Sequence, residues 1–78
     1  MIIEISIPTF GRNINYLRKK YHLSRRALAA LVGISIRLLD RIEQAEPELR
    51  LHHDALIRFR DIFSIPLEDL IHANLFSD

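Results

Sequence analysis

Apolar residues recur at helical spacing in five stretches of the chain and alternate with polar ones in a sixth. Phe10, Ile14, Leu17 and Tyr21 stand at i, i+4, i+7 and i+11, one stripe of a helix. Thr9 is placed to cap that first helix, and Lys19 and Lys20 fall in its last turn, where cations suit the helix dipole. Ser24 caps a second helix over residues 25 to about 32, with Ala27, Leu28 and Leu31 inward, and Gly33 ends it. Ser35 caps a third, residues 36 to about 44, with Leu39 and Ile42 as its core pair and Ile34 buried in the turn before it. Pro47 marks a connection of about six to eight residues. A fourth helix is predicted over about 52–63, with Leu56, Phe59, Ile62 and Phe63 on one side. Ser64-Ile65-Pro66 breaks it, and a short fifth over about 67–73 turns Leu67, Leu70 and Ile71 inward.

The alternating stretch is Ile3-Glu4-Ile5-Ser6-Ile7, a short strand ending at Pro8. A single strand cannot satisfy its own backbone. No second strand-like run stands out, so the expected partner is the same strand of another copy, paired through Ile3, Ile5 and Ile7 across a twofold axis. The alternative is a loose N-terminal arm. Leu75-Phe76, in a tail over 75–78, either caps the core or enters a dimer interface.

At 78 residues with no Cys, the chain has room for one domain and no disulfide to staple it. No apolar run approaches the roughly 20 residues that span a bilayer, and the start lacks a signal-peptide pattern. The expectation is a soluble, cytoplasmic protein. There is no glycine-rich phosphate loop and no Ser/His/Asp or Cys/His arrangement. His52 and His53 are adjacent and diverge around a helix, while His22 and His72 are distant in sequence. No catalytic site, metal or cofactor is expected. The net charge of +1 hides an asymmetry. Residues 12–41 hold eight Lys or Arg against Asp40 alone, a net of +7, and residues 42–78 carry −5. Such a basic half can meet a polyanion.

The second and third helices are joined only by Gly33-Ile34-Ser35: a residue tolerant of positive φ, an apolar plug and an N-cap. So short a link forces a steep crossing, the helix-turn-helix geometry whose second helix enters a DNA major groove. In these residues the sequence resembles the Xre family, the lambda-repressor-like or Cro-like helix-turn-helix domains. The resemblance is carried by Ile14-x-x-Leu17-Arg18, Leu23-Ser24-x-x-x-Leu28-Ala29-x-x-Val32-Gly33-Ile34-Ser35 and Leu39-x-x-Ile42-Glu43. It continues through Leu56-Ile57, Phe63-x-Ile65 and Leu67-Glu68-Asp69-Leu70-Ile71, and so covers residues 10–71.

The resemblance implies an all-α fold, a five-helix lambda-repressor-like bundle at 10–74, which the alternating stretch precedes with a β-like arm at 1–9. It also implies a homodimer on double-stranded DNA and a structural ion pair between Arg18 and Glu43. Residue by residue, it puts Arg25 on a phosphate, with Arg26, Arg41, Arg12 and Lys19 as further backbone contacts. Ile36, Arg37, Leu38 and Asp40 take the base-reading positions, Arg37 matching guanine, Asp40 cytosine N4, and the two aliphatic residues thymine methyls. The sequence departs from the family in three places. Ile36 and Leu38 replace polar readers, Ala45-Glu46-Pro47-Glu48 is acidic where basic residues are usual, and the stretch up to Phe63 runs about two residues long. The leading expectation is a sequence-specific transcriptional regulator. The alternative is a protein-interaction module (an antitoxin, an antirepressor or a regulator's partner) that uses Ile36 and Leu38 as an apolar contact.

Overall fold

The computed structural model describes residues 2–5, 8–46 and 49–76. Five helices pack around one core: α1 (Pro8–Lys20), α2 (Arg25–Val32), α3 (Ile36–Glu43), α4 (His53–Phe63) and α5 (Leu67–His72). Two short strands, β1 (Ile2–Ile5) and β2 (Leu49–His52), complete it. α1 packs on α3 and α5, α2 on α3 and α4, and α4 on α5 and β2. None of these helices is long and apolar enough to cross a membrane.

The chain does hold a second strand. β1 pairs antiparallel with β2, Ile2 opposite His52 and Ile5 opposite Leu49. The signal was present but brief: Leu49-Arg50-Leu51-His52 alternates apolar and polar, and Leu49 and Leu51 are buried while Arg50 and His52 are exposed. So the arm has a partner within its own chain, and the premise that only another copy could supply one is overturned. Ser6, Ile7, Pro47 and Glu48 lie outside the described residues.

The helix boundaries fall within two residues of the expected ones. α1 starts at Pro8, so Thr9 lies in its first turn instead of capping it; proline suits a helix start because no partner awaits its missing N–H. His52 ends β2 and caps α4, its Nδ1 accepting from Asp54 N–H at 3.4 Å. Leu31 is not inward but 55% exposed. Leu28, Ala29 and Val32 fill the buried arc of α2, and Leu31 is rotated by roughly 100° from its middle. Tyr21, past the end of α1, is also exposed, with its ring stacked on Phe63 at 5.8 Å.

Phe10, Ile14, Leu17, Leu28, Val32, Leu39, Ile42, Leu56, Phe59 and Leu70 form the centre of the core, where the Phe10 and Phe59 rings meet edge to face at 5.7 Å. Two positions on α1 set how its neighbours sit. A side chain at Gly11 would run into the backbone carbonyl of Ile42, so glycine there is what lets α3 lie this close. Asn13, fully buried, donates from Nδ2 to the Leu70 and Ala73 carbonyls at 2.9 and 2.6 Å, and its Oδ1 accepts from Leu75 N–H at 3.0 Å. That clamp satisfies carbonyls at the end of α5 and ties the tail to α1.

The strongest polar anchor is Glu43, whose side chain is 2% exposed. Arg18 donates to it in a fork, Nε to Oε2 at 2.7 Å and Nη2 to Oε1 at 3.0 Å. Asn15 Nδ2 and Arg25 Nε also reach Oε1, at 2.8 and 3.3 Å. Burial pushes the carboxyl pKa up, but the hydrogen bonds from Arg18 and Asn15 and the charges of Arg18 and Arg25 outweigh it. The pKa therefore lies below the ordinary 4.5.

Two outcomes follow. Gly11→Ala must push α1 off α3 against backbone that cannot yield; a loss of about 3 kcal/mol, or a melting temperature lower by more than about 10 °C, is expected by circular dichroism. An unchanged melting curve would show that the close approach is not needed. Because the folded pKa of Glu43 is depressed, its ionised form stabilises the fold fully above the ordinary glutamate pKa. That contribution is lost as pH falls through the lower, folded value. Urea unfolding of wild type and Glu43→Gln should therefore differ most near neutral pH and converge in acid; a pH-independent gap would contradict this.

Candidate nucleic-acid interface

The candidate surface begins at the turn between α2 and α3. Gly33 has φ 80°, and its N–H and that of Ile34 both donate to the Ala29 carbonyl, at 2.8 and 3.0 Å. Arg58 reaches over from α4 to donate from Nη1 to the Val32 carbonyl at 3.0 Å, and it occupies the space a side chain at 33 would need. The left-handed backbone is what favours glycine here; the flexible Arg58 guanidinium would have to swing aside for a larger residue. Ser24 and Ser35 cap the two helices, each Oγ accepting an N–H three residues on, from Ala27 and Leu38, at 3.0 Å. α3 is a separate helix set off by this turn and is not continuous with α2.

Eight residues make α3 about 12 Å long, comparable to the width of a B-DNA major groove. Leu39 and Ile42 are buried, and Ile36, Arg37, Arg41 and Gln44 are exposed, with Asp40 half-buried beside them. These five share one face at i, i+1, i+4, i+5 and i+8. Leu38 is half-buried and packs partly against the core, so it presents less to the outside than the sequence suggests. Ile36, by contrast, is 45% exposed. Gln44 was not singled out from sequence, where it reads only as the end of a helix; it is a polar side chain at the far end of the outward face.

The cations divide into two groups. Arg25 and Arg41 have carboxylate partners: Arg25 reaches Glu43 at 3.3 Å, and Arg41 meets Glu46 at 2.9 Å. Arg41 and Glu46 are both about half exposed, and a pair of this kind contributes roughly 0–1 kcal/mol, so a phosphate can displace that carboxylate cheaply. Arg25 is half exposed on a buried Glu43 that keeps Arg18 and Asn15 when Arg25 swings out. Arg12, Lys19, Arg26 and Arg37 are exposed and meet no carboxylate among the described residues. Arg18 belongs to neither group, being buried on Glu43. The described residues contain no group of three or more His, Asp or Glu placed to hold a metal ion.

No protein-family model matches the sequence, and no curated protein does so either. Solved structures do match. The P22 c2 repressor protein, in a crystal structure with synthetic operator 9T in the presence of Tl+, superposes with a TM-score of 0.73 at 23% identity, over 82% of this chain and 94% of that one. A transcriptional regulator from Listeria innocua gives 0.71 at 22% identity over 80% of this chain, which spans 56% of the regulator's length. The order of the helices, the glycine turn and these superpositions establish the architecture: the chain adopts the lambda-repressor-like helix-turn-helix fold.

Proposed function

We propose that the chain is a sequence-specific DNA-binding transcriptional regulator that acts as a homodimer and works beside the chromosome, in the cytoplasm. The observation that carries this reading is α3 itself. It is a groove-sized helix set off by a three-residue turn, with Arg37 exposed and without a carboxylate partner among the described residues, inside a basic segment of net +7. The shared fold of the P22 c2 repressor, crystallised on an operator, supports it.

In this reading Arg37 donates as a fork to guanine O6 and N7, and Asp40 accepts from cytosine N4. Ile36 and the exposed part of Leu38 touch thymine methyls. Arg26, Arg12 and Lys19 hold phosphates, with Arg25 and Arg41 joining once they leave Glu43 and Glu46. One α3 spans only a few base pairs, so useful discrimination calls for two copies on a dyad-symmetric site. Among the described residues β1 is one of two strands in its sheet, so its outer edge has no strand beside it there and is offered to its counterpart in a second copy, with Ile3, Ile5 and Ile7 as the proposed contacts.

A second reading has one observation in its favour. Ile36 is a large apolar side chain exposed at the start of the outward helix, a natural contact for a protein partner. It becomes the better reading if DNA binding fails.

Footprinting on genomic DNA should reveal paired half-sites with centres about 10 base pairs, one helical turn, apart. Arg37→Ala should cost about 1–3 kcal/mol and relax the preference at one position. Arg26→Ala should weaken all sequences alike and flatten the salt dependence by about one unit of slope. Failure of the intact chain to shift any fragment at low salt would end the regulator reading.

A further inference from the structure

Away from the α3 face, the C-terminal tail folds back along α1 and leaves an open cleft of about 520 Å³. Its walls are Arg12, Asn15, Tyr16, Lys19 and Lys20 from α1 and Phe76 from the tail, with Glu43 at one side. The charge inside is one-sided. Among the described residues Glu43 is the only acid lining it, and its carboxylate is already engaged by Arg18, Asn15 and Arg25, which leaves three cations facing the space. The Arg12 guanidinium lies over Phe76 and the Lys20 ammonium over Tyr16, each 5.9 Å from the ring centroid. The far wall is held in place from within, because buried Asn13 anchors the Leu70 and Ala73 carbonyls and the Leu75 N–H immediately before Phe76.

We propose that this cleft is a binding site for a small planar aromatic anion, an aryl or heteroaryl ring bearing a carboxylate, sulfonate or phosphate. The volume suits a small molecule and is within the range of small-ligand pockets. Two half-buried rings supply stacking faces for the body of the ligand. Arg12, Lys19 and Lys20 supply the counter-charge at the rim, and Asn15 supplies a polar edge. A bare anion would gain only the screened attraction of exposed cations, and a neutral ring only the stacking; the site rewards a molecule that has both. This proposal does not depend on DNA binding. Arg12 and Lys19 are shared with the phosphate contacts proposed above, whereas Tyr16 and Phe76 belong to the cleft alone.

Amide NMR titrations of the intact chain with naphthalenesulfonate, naphthalenesulfonamide and inorganic sulfate test it without any DNA. The sulfonate should give saturable shifts at Arg12, Asn15, Tyr16, Lys19 and Phe76, binding at least about tenfold more tightly than either the sulfonamide or sulfate. Phe76→Ala and Lys19→Ala should each weaken it by about tenfold with the fold retained by circular dichroism, since Lys19 is exposed and the half-buried Phe76 lies outside the core cluster. Three outcomes would overturn the site: no saturation, equal binding of the sulfonamide or of sulfate, or wild-type affinity in Phe76→Ala.

Discussion

One buried carboxylate joins the three helices on which any DNA-reading role depends. Glu43, at the last residue of α3, receives Asn15 and Arg18 from α1 and Arg25 from the first residue of α2. Arg18 would be a stranded, nearly buried cation without it, and a broken pair of this kind costs several kcal/mol, while an intact one is close to neutral in net stability. Its value is therefore geometric. It holds the C-terminal end of α3, while the Gly33 turn and the Ser35 cap hold the N-terminal end. The Gly11–Ile42 approach sets the distance of α3 from α1. With both ends held, the face bearing Ile36, Arg37 and Arg41 has little freedom to tilt.

The same carboxylate divides the basic half of the chain by role. Counting charge along the sequence treats the eight cations of residues 12–41 alike, but the fold does not. Arg18 is taken into the interior, Arg25 is held by Glu43 and Arg41 by Glu46, and Arg26, Arg37 and Lys19 project without a carboxylate among the described residues. Arg12 and Lys20 lean over aromatic rings. An arginine held at an exposed pair, as Arg41 is, is pre-positioned and still exchangeable, which is what the proposed phosphate contacts require.

The acidic stretch after α3, a departure from the family the sequence resembles, has a local structural use. Glu46 pairs with Arg41, Ala45 turns the chain at φ 56°, and the extra length leads into β2, which covers the core with Leu49 and Leu51 and pairs with β1. For a domain of this size, with no disulfide, that two-stranded cover adds buried apolar area a five-helix bundle would otherwise lack.

Much of this was written in local sequence, because caps, helical periodicity and a glycine that needs positive φ act over a few residues. Ser24, Gly33 and Ser35 marked the ends of α2 and α3, and the apolar stripes placed most of the helical core but not Ala29, Val32 or Ala55. Arg18 and Glu43 were paired through a family likeness rather than from spacing. What sequence left undetermined depends on groups distant along the chain. Asn13 reads as a polar residue inside an apolar stripe until the end of α5 arrives to use it. Gly11 reads as a weak point in a helix until the Ile42 carbonyl is seen to need the space. Leu49-Arg50-Leu51-His52 is too short to declare itself a strand until Ile2–Ile5 lies beside it. Tertiary structure alone decided which cations face solvent, and that the tail closes a cleft against α1, because side-chain burial and charge pairing are set by whatever the rest of the chain brings near.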